Sequence, residues 1–192
     1  MVEAETVDTY DREVQSAIPV EDESVGACKD QAVNLIRVHY EVFQRATQPV
    51  LVQHPIKLKF EGEACTVNGI IDTVAEGTEP STVDVIDNKT SSKKFEADAA
   101  AKSVQLTLYW MALRQQGRNP GKRAFHVAVK NTYAEAQLVE APAPDDETIR
   151  RQLHIIEQAL RVVRSGVFPP ITGGWWCSPK WCGYWNTCKY HL

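Results

Sequence analysis

Two short stretches of the chain set acids where acids are costly. Ile70-Ile71-Asp72 places a carboxylate behind two branched apolar residues, and Val85-Ile86-Asp87-Asn88-Lys89-Thr90 does so again with a lysine two residues on. A carboxylate is expensive to bury unless a cation or hydrogen bonds compensate it. Two of them brought together from neighbouring strands repel, and a divalent cation between them removes the repulsion. Mg²⁺ or Mn²⁺ suits such a site, because both are hard ions that take oxygen ligands and leave positions for water and phosphate. Asp87 and Lys89 lie two apart, so on a strand they project to the same side. Asp87 can then hold the ion while the Lys89 ammonium faces an attacking water and a scissile phosphate. The plainer reading gives both acids to strand ends capping turns and Lys89 to solvent, and spacing alone leaves the two readings level.

A second set of reactive residues sits at the other end. Of the five cysteines, Cys177, Cys182 and Cys188 crowd into a loop with Trp175, Trp176, Trp181, Tyr184 and Trp185. In a reducing compartment this crowding reads as metal ligation and not as a disulfide framework. Three thiolates need a fourth partner for either tetrahedral zinc or a four-iron cluster. Cys28 is the candidate, being upstream of every expected strand. Cys65 reads as a buried thiol within a strand, and His191 is an option for zinc only. The rings either shield the metal or stack on bases.

The elements that must position these groups follow from periodicity. Apolar residues recur at helical spacing from Val25 to about Ala46, and Pro49 stops them. Residues 50–60 alternate, with Ile56, Leu58 and Phe60 on one face and Lys57 and Lys59 on the other. Strands are expected at 64–74 and 82–88 around a turn at Glu76 to Ser81, and the second of these, the most apolar, is expected to be central. A helix follows from Ala97 to Gln116 with Val104, Leu108 and Met111 along it. Residues 122–129 form a strand with Phe125, Val127 and Val129 inside and Arg123, His126 and Lys130 outside, and 134–139 partners it. After Pro142 and Pro144, Asp145 or Asp146 caps a helix with Ile149, Leu153, Ile156, Leu160 and Val163 in one stripe. This order predicts an α/β fold, a mixed sheet flanked by helices.

Composition bounds the rest. The chain has 192 residues, 43% of them hydrophobic, and a formal charge of -4, so it is expected to bury a sizeable core and binding to nucleic acid cannot rest on bulk charge. Residues 1–24 carry eight acids against one arginine and read as an acidic flexible arm. No apolar run is long enough for a membrane span, and the acidic N-terminus is unlike a secretory signal, which points to a cytoplasmic protein with no membrane partner. From Gln158 to Leu192 there is no acidic residue, while Arg161, Arg164, Lys180 and Lys189 are present. That local asymmetry gives an acidic protein a DNA-facing end.

Gly69-Ile70-Ile71-Asp72, then Val85-Ile86-Asp87-Asn88-Lys89-Thr90-Ser91, then Gln105-Leu106-Thr107-Leu108-Tyr109-Trp110 together resemble the PD-(D/E)XK nuclease superfamily. Within it the pattern is most similar to the RecB-like exonuclease branch of phage exonucleases and CRISPR adaptation nucleases. The resemblance covers roughly residues 50–190. It implies a restriction-endonuclease-like core over 25–168 and a cysteine-rich, cluster-binding tail over 169–192. It implies Asp72 and Asp87 as ligands of Mg²⁺ or Mn²⁺, joined by the carbonyl of Asn88, and Lys89 as the residue assisting the water. Gln105 and Tyr109 match the family's Gln and Tyr beside the active site, and their spacing of four puts both on one helix face. Read bottom-up, Gln105 is an exposed helix former and Tyr109 a half-buried aromatic. The resemblance also implies a 4Fe–4S cluster on Cys177, Cys182, Cys188 and Cys28, with Zn²⁺ as the alternative.

Two family features have only partial counterparts. The histidine of an N-terminal helix is answered by His39, and the Glu near the first strand by Gln53. Lys93, Lys94, Lys102 and Arg114 are candidates for meeting the phosphate backbone. The implied activity is metal-dependent DNA exonuclease action in phage or prokaryotic recombination, repair or processing, with homo-oligomers or recombination and repair proteins as partners. The competing reading is a non-catalytic nucleic-acid- or partner-binding module with a structural zinc or iron–sulfur site. A restriction-type endonuclease is a third, disfavoured by the cysteine tail.

Overall fold

The computed structural model describes residues 25–60, 66–130, 133–167, 170 and 174–190. The acidic arm, Cys65 and His191 lie outside the described residues. By internal contacts the chain divides into Met1–Ile149 and Arg150–Leu192.

The first unit is built on a five-stranded mixed sheet in the order β1-β2-β3-β4-β5. The strands are β1 (Pro49–Lys59), β2 (Thr66–Glu76), β3 (Val83–Ser91), β4 (Pro120–Val129) and β5 (Glu135–Ala141). β1, β2 and β3 form an antiparallel meander, β3 and β4 run parallel, and β5 returns antiparallel to β4. β3 is thus central, as its apolar run predicts. The parallel step needs a crossover. That crossover is helical: α2 (Ala99–Lys102) and α3 (Val104–Gln115).

The helix expected over residues 97–116 is therefore two. Ser103 adopts an extended conformation between them, and its hydroxyl accepts from the Leu106 N–H at 3.1 Å, so it ends one helix and caps the next. The face α3 buries also differs from the expected one. Leu106, Thr107, Tyr109, Trp110, Ala112 and Leu113 go inward, while Val104 is exposed and Leu108 and Met111 are half-buried. This face packs on Ile56, Leu58, Ile71, Val74, Val85, Phe125 and Val127 to form the main core.

The opposite face has a small apolar cluster of Ala75, Ile86 and Ala124. α1 (Val25–His39) packs over β4 and β5, and at Tyr40 it widens into a π-helical turn through Gln44 instead of running on to Ala46 as one helix. The Arg45 N–H reaches back to the Tyr40 carbonyl at 3.2 Å. That turn buries Phe43, whose ring stacks on His126 with centroids 4.1 Å apart and planes within 9°.

β4 corrects the expected alternation. Arg123 is 2% exposed and His126 7%, not outside; Lys130 alone of the three is exposed. A strand paired on both edges and covered on both faces loses the in-and-out rhythm. Arg123 is satisfied within: Nη1 donates to the Thr107 hydroxyl at 2.6 Å and Nε to the Pro142 carbonyl at 3.2 Å.

The second unit holds most of α4 (Asp146–Ser165) and a series of tight turns ending in a short 3-10 turn, Trp185–Thr187. No helix among the described residues is long and apolar enough to cross a membrane.

Candidate active site

The paired register of β2 and β3 runs from Glu76↔Val83 to Thr73↔Ile86. The next residues in that register are Asp72 and Asp87. Here main-chain pairing gives way to a side chain: Asp72 Oδ2 accepts from the Asn88 N–H at 2.9 Å. β3 meanwhile continues along β4, with Asp87 opposite Phe125 and Asn88 opposite His126. Where β2 leaves β3, the two acids are left side by side.

Asp87 is 2% exposed, with Lys89 Nζ 2.6 Å from its Oδ2, and the Lys89 side chain is 35% exposed. That oxygen is buried, and the Lys89 ammonium is the cation that meets it. Burial pushes the Asp87 carboxyl above the usual carboxylate range; Lys89 draws it back, and the charge of Asp72 raises it further. Asp72 and Asp87 thus feel each other. The structure brings Asp72, Asp87, Asn88 and Lys89 together.

Beside Asp72 lies a cavity of about 140 Å³, bounded by His39, Gln44, Gln53, Asn88 and His126 among others. Gln53 has φ 49°, in the left-handed region that costs a non-glycine residue about 1–3 kcal/mol. Burial lowers the pKa of His39, and burial followed by the neighbouring His39 lowers that of His126 to about 4. Both rings are therefore neutral at pH 7. Their centroids are 6.3 Å apart. Alternation missed His126 because it read a doubly covered strand as half-exposed; the three-residue spacing to Arg123 gave no warning.

Gln105 and Tyr109 meet on one face of α3, where Gln105 Nε2 donates to the Tyr109 hydroxyl at 3.0 Å. Gln105 is exposed and Tyr109 buried. The Tyr109 ring lies on β2 at Gly69: a Cβ there would sit 3.2 Å from its Cε1, so glycine allows the close approach. Among the described residues neither side chain hydrogen-bonds to Asp72, Asp87 or Lys89. Of the expected phosphate-facing cations, Lys94 pairs with Glu135 at 2.7 Å, Lys102 with Asp98 at 2.5 Å, and Arg114 lies over the Trp110 ring, while Lys93 is exposed.

Cys28, Cys177, Cys182 and Cys188 are of intermediate exposure, and none of the four is in a disulfide. Among the described residues no three His, Cys, Asp or Glu side chains are grouped to hold a metal. A preformed thiolate cluster site is therefore not present among them. The acid centre is of another kind: two carboxylates, both oxygen donors, one of them buried so that desolvation outweighs what its partners return. That set fits a hard divalent cation, with water completing it.

A family model of the PD-(D/E)XK nuclease superfamily matches residues 2–189. The chain belongs to this superfamily. PD-(D/E)XK nucleases generally use divalent metals such as Mg²⁺ or Mn²⁺. Among solved structures, a provisionally assigned exonuclease from Eubacterium rectale is similar over 92% of this chain and 70% of its own, with TM-score 0.60 and 17% identity. A looser likeness, to SSO0001, covers 100% of this chain and 98% of that one, with TM-score 0.48 and 16% identity. No curated protein matches the sequence significantly.

Proposed function

We propose that this PD-(D/E)XK nuclease is a divalent-metal-dependent DNA exonuclease of the RecB-like type. One observation carries the reading: the buried Asp87, bridged by Lys89 at 2.6 Å, is next to Asp72 where β2 and β3 separate. Asp72 and Asp87 would hold the cation, with the Asn88 carbonyl as a further oxygen. When bound, Mg²⁺ or Mn²⁺ supplies neutralising charge to the phosphate and makes a nearby water more acidic.

The chain's own residues do the rest. Lys89, one-third exposed and paired with Asp87, would orient the water that attacks phosphorus as the leaving oxygen departs. The Asn88 N–H fixes the Asp72 carboxylate, so only its remaining lone pairs are available. Tyr109, pressed on Gly69 and bonded to Gln105, would wall the helix side of the site.

The 4Fe–4S cluster, with zinc as its alternative, is a proposal on ligand chemistry alone: three soft thiols within residues 177–188, none in a disulfide. Anaerobically purified protein that is brown with absorption near 400 nm supports it, and colourless protein free of iron and zinc contradicts it. The nuclease reading is tested by cleavage of end-labelled DNA with Mg²⁺ or Mn²⁺. Release of nucleotides from ends, reduced at least about 10²- to 10³-fold in Asp87→Ala and Lys89→Ala, is expected. Wild-type rates in both variants would overturn the assignment of the centre.

A further inference from the structure

The tail turns its aromatic rings outward. Trp175 is 69% exposed, Trp181 60% and Tyr184 79%, and Trp176 and Tyr190 are also exposed. An apolar surface of this kind on a soluble chain marks a contact site. These rings are not loose. Trp175 stands edge-on to both Trp176 and Trp181, at 5.7 and 5.3 Å between centroids. The Trp176 ring lies across the α-carbon of Gly174, where any side chain would strike it. Beneath them the chain is pinned by turns: the Cys177 N–H donates to the Gly174 carbonyl, the Ser178 hydroxyl to the Trp175 carbonyl and the Cys182 N–H to the Ser178 carbonyl, each at 2.9 Å.

Charge selects the partner. Lys180 Nζ lies 5.5 Å from the centre of the Trp181 ring and Lys189 Nζ 5.0 Å from that of Tyr190, both on exposed side chains. The sequence has no acid from residue 158 to 192 to oppose an anion. Flat rings interleaved with ammonium groups match a single-stranded nucleic acid, whose unpaired bases stack and whose phosphates are spaced along a flexible backbone. A duplex offers the same phosphates but keeps its base faces covered. We infer that residues 174–190 form a stacking platform for single-stranded nucleic acid, centred on Trp175 and Trp181, with Lys180 and Lys189 meeting phosphates. This deepens the nuclease reading and rests on it for the substrate class.

The test is tryptophan fluorescence of the full chain in EDTA, where no cleavage occurs, titrated with dT20 and rU20 single strands and a 20-base-pair duplex. Single strands of either sugar should quench the emission and bind at least tenfold more tightly than the duplex. Trp175→Ala with Trp181→Ala should weaken dT20 binding about tenfold or more; the double Phe variant should stay within threefold of wild type, and the double Leu variant should behave like Ala. Lys180→Gln with Lys189→Gln should lower the slope of log affinity against log salt by about 1.4, from about 0.7 per phosphate contact. Wild-type affinity in the Ala variant, or equal loss with Phe and Leu, overturns the platform. Cleavage by the wild type in Mn²⁺ is scored separately. Cleavage together with tryptophan-independent binding sinks the platform alone, and quenching lost in the Ala variant without any cleavage sinks the nuclease reading alone.

Discussion

The acid centre and the tail are held by opposite means. Asp72 and Asp87 meet through pairing between two consecutive strands, β2 and β3, inside a sheet buried under α3. The tail's rings and thiols are fixed by turns closed within a few residues, and they face solvent. Burial loads the first region with a costly charge: it raises the Asp87 carboxyl and leaves one oxygen facing the Lys89 ammonium. Exposure suits the second to binding, because rings already in water have little to lose and a flat partner to gain. Chemistry that needs a strained charge sits in the rigid core, whereas contact that tolerates variation sits on the turn-rich surface.

Stability should divide the same way. Leu113 is fully buried in the main core, and Leu113→Ala should cost about 2–5 kcal/mol in denaturant unfolding. Trp181→Ala, at an exposed site, should stay within about 0.5 kcal/mol. A loss above about 2 kcal/mol at Trp181 would mean that the tail's rings are structural and would erase the contrast.

These two regions were unequally legible in the sequence. All five strands and the mixed sheet follow from alternation and turn residues, because half-buried antiparallel strands write their faces into a period of two. The faces of β4 do not follow, since everything from Arg123 to Val129 is buried and polar residues survive there only through specific partners. The break at Ser103 was hidden by the helix-favouring alanines before it, although a serine before Leu106 is a usable capping signal. For the acid centre, the residue types and the two-residue step to Lys89 pointed to the place, but no local pattern records that β3 leaves β2 there and continues along β4. The cavity with His39 and His126 takes Gln44 from the π turn, equally invisible locally. The tail's cysteines suggested a gathered ligand set, and among the described residues none is grouped.

His126 sharpens the comparison through pH. Its folded pKa is about 4 against an ordinary 6.5, so the unfolded chain binds more protons between those values. The contribution is fully present above pH 6.5 and is lost as pH falls to about 4, on the order of 3 kcal/mol over that window. Asp87, whose carboxyl is raised, works against this trend because acid relieves its buried charge. His126→Phe, which preserves a ring against Phe43, should flatten the fall in stability between pH 6.5 and 4. An unchanged slope would show that the core ring does not carry it.

The smallest expected effect is at the rim of the centre. Gln105→Ala removes the 3.0 Å bond to the Tyr109 hydroxyl and should lower turnover severalfold with little change in melting temperature. Identical turnover would confine Gln105 to the surface role its exposure suggests.

The most direct measurement is thermal unfolding with and without Mn²⁺ for the wild type, Asp72→Asn and Asp87→Asn. If two strand-borne acids share one hard cation, saturating Mn²⁺ at about 100 times its Kd stabilises the wild type by about 2.7 kcal/mol. Each Asn variant should lose most of that response, and Asp87→Asn without metal should be at least as stable as the wild type because a buried charge has gone. Equal Mn²⁺ stabilisation in all three proteins, or a metal-free Asp87→Asn that is markedly less stable, would contradict the shared centre.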